Sequence, residues 1–186
     1  MVKKNETVVV GVRMPEKLKT RLERIANERN QSINQIAKTA IIEWLDILAY
    51  AQKLRFMIIT RGFFQSLLEI INEDQMEPLA EVMADLTAEI FRDTMKVQLS
   101  HSTIKNFTEV LPRFMRSSGL KWFDDFRIDI EENIIIFRGF HYMGLGFSKF
   151  FTNLTMKLLK KYFDADLLRD KIDYKPNSIF LEFQLN

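Results

Sequence analysis

The 186-residue chain has no cysteine. That excludes disulfides, thiolate zinc sites and cysteine nucleophiles together. Histidine is nearly absent too, with only His101 and His141. A metal centre normally takes three or four ligands, and no His pair is spaced four apart, so no metal is expected. His141 reads instead as an ordinary sheet or pocket histidine. No apolar run reaches 18 residues, which argues against a membrane span. Lys3 and Lys4 come early, but no apolar stretch with a small-residue cleavage site follows them. No signal peptide is therefore expected, and a cytoplasmic protein is the simplest reading. Neither a G-x-S-x-G elbow nor a P-loop occurs. His141-Tyr142-Met143-Gly144-Leu145-Gly146 is not a full G-x-G-x-x-G and has no parallel β-α-β unit around it. A tight turn with close helix-on-sheet packing explains it better. The acid pairs Asp124-Asp125 and Glu131-Glu132 fall at strand ends or turns, where solvation accounts for them. Neither catalytic residues nor a cofactor is expected, and the chain does not read as an enzyme.

What is present is a globular composition, 47% apolar and 28% charged. Sixteen phenylalanines predict an aromatic-rich core or an apolar pocket. The net charge is only +2, but it is unevenly placed. Residues 1–40 hold nine Lys and Arg against four Glu, a surplus of five, so the remainder carries a deficit of three. A basic end on a slightly acidic body suggests that the end meets an anion, nucleic acid above all.

The basic end has a defined pattern. Val8, Val10, Val12 and Met14 alternate with Thr7, Val9, Gly11 and Arg13, as in a short strand. Pro15 ends the strand and suits the first turn of a helix. Leu18, Leu22, Ile25 and Ala26 then recur at helical spacing. Arg29-Asn30-Gln31 is a tight turn, with Asn30 the residue best suited to a left-handed backbone. Ser32 is a good N-cap. An apolar stripe of Ile33, Ile36, Ala37, Ala40, Ile41, Trp44, Leu45 and Leu48 follows. A lone strand has no partner within such a unit, and two short helices bury too little area to be stable alone. Two copies solve both problems: the strands pair as a ribbon and the four helices share one core.

These residues, V8-V-V-G-V-R-M-P15 and N30-Q-S-I-N34, resemble the ribbon-helix-helix family of Arc/MetJ-type DNA-binding proteins over roughly residues 6–48. The resemblance implies a homodimer whose ribbon lies in the major groove of double-stranded DNA with outward side chains on base edges. By position those are Val9, Gly11 and Arg13, with Thr7 at the margin. It implies a bidentate pair between Arg13 and guanine, and a contact from Val9 to a thymine methyl. Gly11 departs from the polar residue often found there, which shifts the expected readout toward DNA shape. The amides at the start of the second helix, around Ser32, Ile33 and Asn34, suit a phosphate. Lys3 and Lys4 are expected to follow the DNA backbone. The several His and the Cys on which nickel-sensing members rely are missing.

The boundary is expected near residues 50–55, giving a module over 1–50 and a body over 54–186. Neither Pro nor Gly occurs between Pro15 and Gly62, so a stiff join is expected. In the body, helices are expected over Arg61–Asn72, Glu77–Lys96 and Ser102–Arg116. Arg55–Thr60 suits either an extended piece or a helix. The period then changes to two. Strands are expected at Phe126–Ile130 and Ile134–Tyr142, a helix at Gly144–Phe163, and a hairpin of Asp170–Lys175 with Ile179–Leu185. The fold class is therefore α+β, an N-terminal ribbon-helix-helix followed by helices and a β-β-α-β-β antiparallel sheet. That order, the entry at Gly144 and Gly146 and the closing strand from Ile179 make the tail similar to the 4-vinyl-reductase-type domain related to TRAPP subunits. The resemblance implies a dimerising domain with an apolar cavity for a small-molecule ligand, lined by His141, Tyr142, Phe147 and Phe151. The functional expectation is a transcriptional regulator. The alternative is a DNA-organising or partitioning protein whose body only assembles protomers.

Overall fold

The computed structural model describes residues 8–49, 59–96, 98–116 and 121–186. The chain divides into two compact units, Met1–Leu45 and Asp46–Asn186.

The first unit holds two helices, α1 (Glu16–Glu28) and α2 (Ile33–Glu43), with α2 running on into a π-helical turn at Trp44–Leu48. Pro15 precedes α1 with an extended backbone, φ −59° and ψ 145°. The α1–α2 turn is a Schellman motif: the Gln31 amide donates to the Ala26 carbonyl (2.9 Å) and the Asn30 amide to that of Asn27 (3.2 Å). Asn30 takes the left-handed conformation, φ 51°, as its position predicts. The expected strand over residues 8–14 is absent from the described residues, and nothing in a single chain pairs with it. Residues 8–15 are neither helix nor strand, and the first unit has helices but no strand among the described residues. Lys3, Lys4 and Thr7 lie outside the described residues, as do the expected join at residues 50–53 and residues 55–58.

In the second unit, α3 (Arg61–Ile70), capped by Thr60, leads to α4 (Glu73–Met95). A 3-10 turn at His101–Thr103 then opens α5 (Ile104–Arg116). Next come β1 (Asp125–Glu131), β2 (Ile134–Phe140), α6 (Gly144–Phe163), β3 (Ala165–Lys175) and β4 (Ser178–Leu185). The β-β-α-β-β order is the expected one, and α6 has the expected bounds. All strand pairs are antiparallel, in the order β1-β2-β4-β3. Period-two alternation sets the core face: Ile179, Leu181, Phe183 and Leu185 on β4 are all buried. They sit beside Ile135, Phe137 and Gly139 of β2. Gly139 leaves room for a ring, because a Cβ there would lie 2.5 Å from Phe123 Cε1.

Helix α3 ends at Ile70 and not Asn72, α5 starts at Ile104 and not Ser102, and β2 ends at Phe140 and not Tyr142; two larger differences have visible reasons. α4 begins at Glu73, not Glu77. Asn72 caps it in a reciprocal box with Gln75, four residues ahead of the expected start. β3 begins at Ala165 because a register shift between Leu167 and Ile172 breaks the alternation that would have marked its first half. No described helix is long and apolar enough to cross a membrane.

The core is built around α6. Phe147, Phe150, Phe151, Leu154 and Leu158 are buried along it. On its other side α4 presents Met76, Ala80, Ala84 and Ala88, one per turn, all buried. Small side chains in that row let the two helix backbones come close.

Candidate functional site

In the first unit only Ala26 and Ile36 are buried among the described apolar residues. Ahead of α1, Val8, Val9, Val10 and Val12 are all exposed, Val9 completely. They form a run of apolar side chains in water, which soluble folds seldom leave uncovered. Gly11 and Arg13 are exposed on the same stretch. A Cβ at Gly11 would meet nothing within 4 Å.

The start of α2 is a capping box. The Ser32 hydroxyl accepts from the Gln35 amide (3.2 Å), and Gln35 Oε1 accepts from the Ser32 amide (2.7 Å). The Ser32 hydroxyl also donates to Gln35 Oε1 (3.0 Å). Ser32 therefore spends its hydroxyl and its amide on the cap, and it has little left for a phosphate. The amides of Ile33 and Asn34, which have no intrahelical acceptor by geometry, remain to face an anion, with the exposed Asn34 side chain beside them. Gln35 is the member that sequence reasoning missed. The S-x-x-Q spacing was the available signal.

Two ion pairs run along α1. Lys19 pairs with Glu23 (3.4 Å) and Arg24 with Glu28 (3.7 Å). Arg13, Lys17, Arg21, Arg29 and Lys38 have no carboxylate partner among the described residues, which leaves this unit with uncompensated positive charge.

In the second unit, three of the four expected pocket residues come together. His141, Phe147 and Phe151 are buried with Phe123 and Phe126. Ring centroids lie 4.6 Å apart for His141–Phe147, 5.3 Å for Phe123–Phe147 and 4.8 Å for Phe123–Phe151. These rings fill the space between them by edge-to-face packing. Tyr142 is not part of the cluster. It is 69% exposed and packs on Phe140.

His141 has defined proton positions. The Ser148 hydroxyl donates its one proton to the Lys175 carbonyl (2.5 Å), so His141 Nε2 donates to Ser148 Oγ (3.0 Å). Nδ1 then accepts from the Met143 amide (3.2 Å). Both ring nitrogens are used and the ring is neutral. Burial pushes its pKa down to about 4, helped by the Arg61 guanidinium. The His141 amide also donates to the Asn177 carbonyl in the β3–β4 turn (2.9 Å). His141 is thus a structural tie between the end of β2, the start of α6 and the last hairpin. Among the described residues no group of three or more potential ligands is placed to hold a metal.

The glycine stretch beside it does mechanical work. Gly144 has φ +78°, a conformation that turns the chain into α6. A Cβ at Gly146 would lie 3.1 Å from the Leu68 carbonyl oxygen. The close packing is therefore helix on helix, α6 on α3, and not helix on sheet. Asp124 is also more than solvated: it takes Arg61 in an ion pair (3.2 Å), and Arg61 Nε donates to the Lys121 carbonyl (2.6 Å).

A groove of about 720 Å³ runs along α4 and α6, lined by Glu73, Glu77, Lys149, Met156, Lys157 and Tyr174 among others. Ion pairs bridge the two helices along it. Glu73 meets Lys149 (2.5 Å), Glu77 meets Lys157 (2.7 Å), and Asp85 meets both Lys161 and the Tyr162 hydroxyl (2.7 Å each). Hydrogen bonds from these lysines hold the three carboxyls below the usual carboxylate range. Acids one turn apart at 73, 77, 81 and 85 were the sequence signal for this ladder.

Compared with known proteins, the chain matches no family model, no curated protein and no solved structure.

Proposed function

We propose that the protein is a cytoplasmic, sequence-specific DNA-binding transcriptional regulator that acts as a homodimer through its first unit. The observation that carries this reading is the exposed stretch from Val8 to Arg13, leading through Pro15 into two helices that bury only Ala26 and Ile36. Such a unit has edges and faces for a second copy and little stability without one. In the dimer the Val8–Met14 segments pair as a ribbon in the major groove. Arg13 reads a base edge, Val9 and Gly11 face the groove floor, and the Ile33 and Asn34 amides hold a phosphate. Lys3, Lys4 and Thr7 belong to the same interface by sequence.

The test is DNA binding by the full chain over a salt series, beside Arg13→Ala. A regulator binds one sequence preferentially, with an affinity that falls steeply with salt. Arg13→Ala costs about 1–3 kcal/mol and relaxes the preference. Binding indifferent to both salt and Arg13 would remove the first unit from DNA recognition.

A second reading has the body serve assembly alone, in a DNA-organising or partitioning protein. The packing of His141, Phe147 and Phe151 favours it over the sensing of an apolar ligand, because these rings fill their own interior. A small-molecule sensor gains thermal stability with its ligand as RT ln(1 + [L]/Kd), and a scaffold does not.

A further inference from the structure

The second unit has an apolar helix face that its own core does not use. On α3, Phe64 and Leu68 turn inward, Leu68 fully buried. Phe63, Leu67 and Ile70 lie about a third of a turn or more away and are exposed, Phe63 by 60% and Ile70 by 80%. Ile59, just before the helix, is exposed as well. Between these side chains the helix carries Gly62 and Ser66, one turn apart, and a Cβ at Gly62 would meet nothing within 4 Å. The face is therefore a row of knobs beside a row of holes, a shape that a two-fold axis makes complementary to itself.

We propose that this face of α3 is a second contact between two copies of the chain, body against body, formed in the dimer that the first unit holds. The inference rests on the dimeric reading of the first unit. Area chooses the occupant. The exposed parts of Ile59, Phe63, Leu67 and Ile70 come to roughly 400 Å² per copy, about half of what each partner buries in a standard interface. A separate protein, or a second body on its own, would have to hold with that area alone. A second copy does not, because it is already tethered. Ten residues join Leu48 to Ile59, a reach of at most roughly 40 Å, so two copies held by their first units keep their bodies within reach of each other. A weak, self-complementary face is filled under those conditions. Gly62 and Ser66 set how closely the two helices approach.

The experiment uses the full chain and sedimentation equilibrium, with circular dichroism to show that each variant is folded. Phe63, Ile70 and Val10 are exposed, so charge at any of them leaves the core intact. Phe63→Glu and Ile70→Glu each raise the dimer dissociation constant at least tenfold, and Val10→Lys raises it further. A dimer weakened by Val10→Lys and indifferent to both α3 variants overturns the α3 contact and leaves the first-unit reading standing. A dimer weakened only by the α3 variants overturns the tethered contact together with the ribbon. A wild-type monomer overturns both. Because the chain has no cysteine, Ser66→Cys supplies a single thiol for a second readout. A short bis-maleimide links Ser66→Cys copies into covalent dimers, and the added Ile70→Glu change abolishes the product; undiminished linking in the double variant counts against the contact.

Discussion

The two units solve the same problem in opposite ways. The second unit is closed. Its aromatic rings meet each other, the buried His141 has both nitrogens bonded, and charges along α4 and α6 pair across the groove. The first unit is open. Val8, Val9, Val10 and Val12 face water, the Ile33 and Asn34 amides lack acceptors, and much of the positive charge is uncompensated among the described residues. A protein surface that leaves polar and apolar groups unsatisfied is where a partner contributes most, since each contact made there replaces water and not another protein group. The comparison teaches where to look for binding: in the unit that has least to offer itself.

Loss of material from the closed unit has the largest expected effect. Phe147→Ala removes a ring that touches His141, Phe123 and Phe151, and it should cost about 3–5 kcal/mol in denaturant unfolding. A cost near zero would show that the ring cluster is loose and reopen the case for a ligand cavity there.

Acid should distinguish the units next. His141 is neutral in the folded body down to about pH 4, whereas an unfolded chain protonates it near 6.5. Between those values the unfolded state binds the extra proton, so stability falls as pH drops from about 6.5 to about 4 and is full above that window. The shift corresponds to roughly 3 kcal/mol. His141→Gln should unfold more easily at pH 7 and lose that part of the pH slope; an unchanged slope would remove His141 as its source, since the carboxyls of Glu73, Glu77 and Asp85 act at lower pH. Those carboxyls, whose values are lowered, contribute stability only above the usual carboxylate range and lose it at more acidic pH.

The smallest effect belongs to the open unit. Gln35→Ala removes half of the capping box and should cost about 1 kcal/mol of helix stability. It also frees the Ser32 amide. Equal weakening of binding to all DNA sequences would fit a phosphate contact at this helix end, and a change confined to one sequence would contradict it.

Much of this comparison is legible in the sequence, and what is not has physical reasons. The Asn30 turn, the Ser32 cap and the bounds of α6 follow from rules that act over a few residues. The start of α4 is misplaced because Asn72 reads as the end of one helix, whereas with Gln75 it caps the next. The first half of β3 is silent because a bulge removes the alternation that announces a strand. The seam of Met76, Ala80, Ala84 and Ala88 repeats visibly, but spacing on one helix does not name the helix that packs against it. The role of His141 depends on Ser148, Met143, Lys175 and Asn177, which only the fold brings together. At the candidate interface, Val9, Gly11 and Arg13 are exposed, but so are Val8, Val10 and Val12, so exposure does not single out one face. The division of labour between Ser32 and the two amides after it depends on Gln35, and it emerges only once the hydrogen bonds are traced.

The hydrogen bond from the Met143 amide to His141 gives the closed unit its own clock. That amide is shielded by a ring nitrogen inside the aromatic cluster and not by a neighbouring turn of helix. No fraying of α6 alone can expose it. Solvent deuterium reaches it only when the end of β2, the α6 entry and the β3–β4 turn come apart together, so its exchange is set by the opening of the body as a whole.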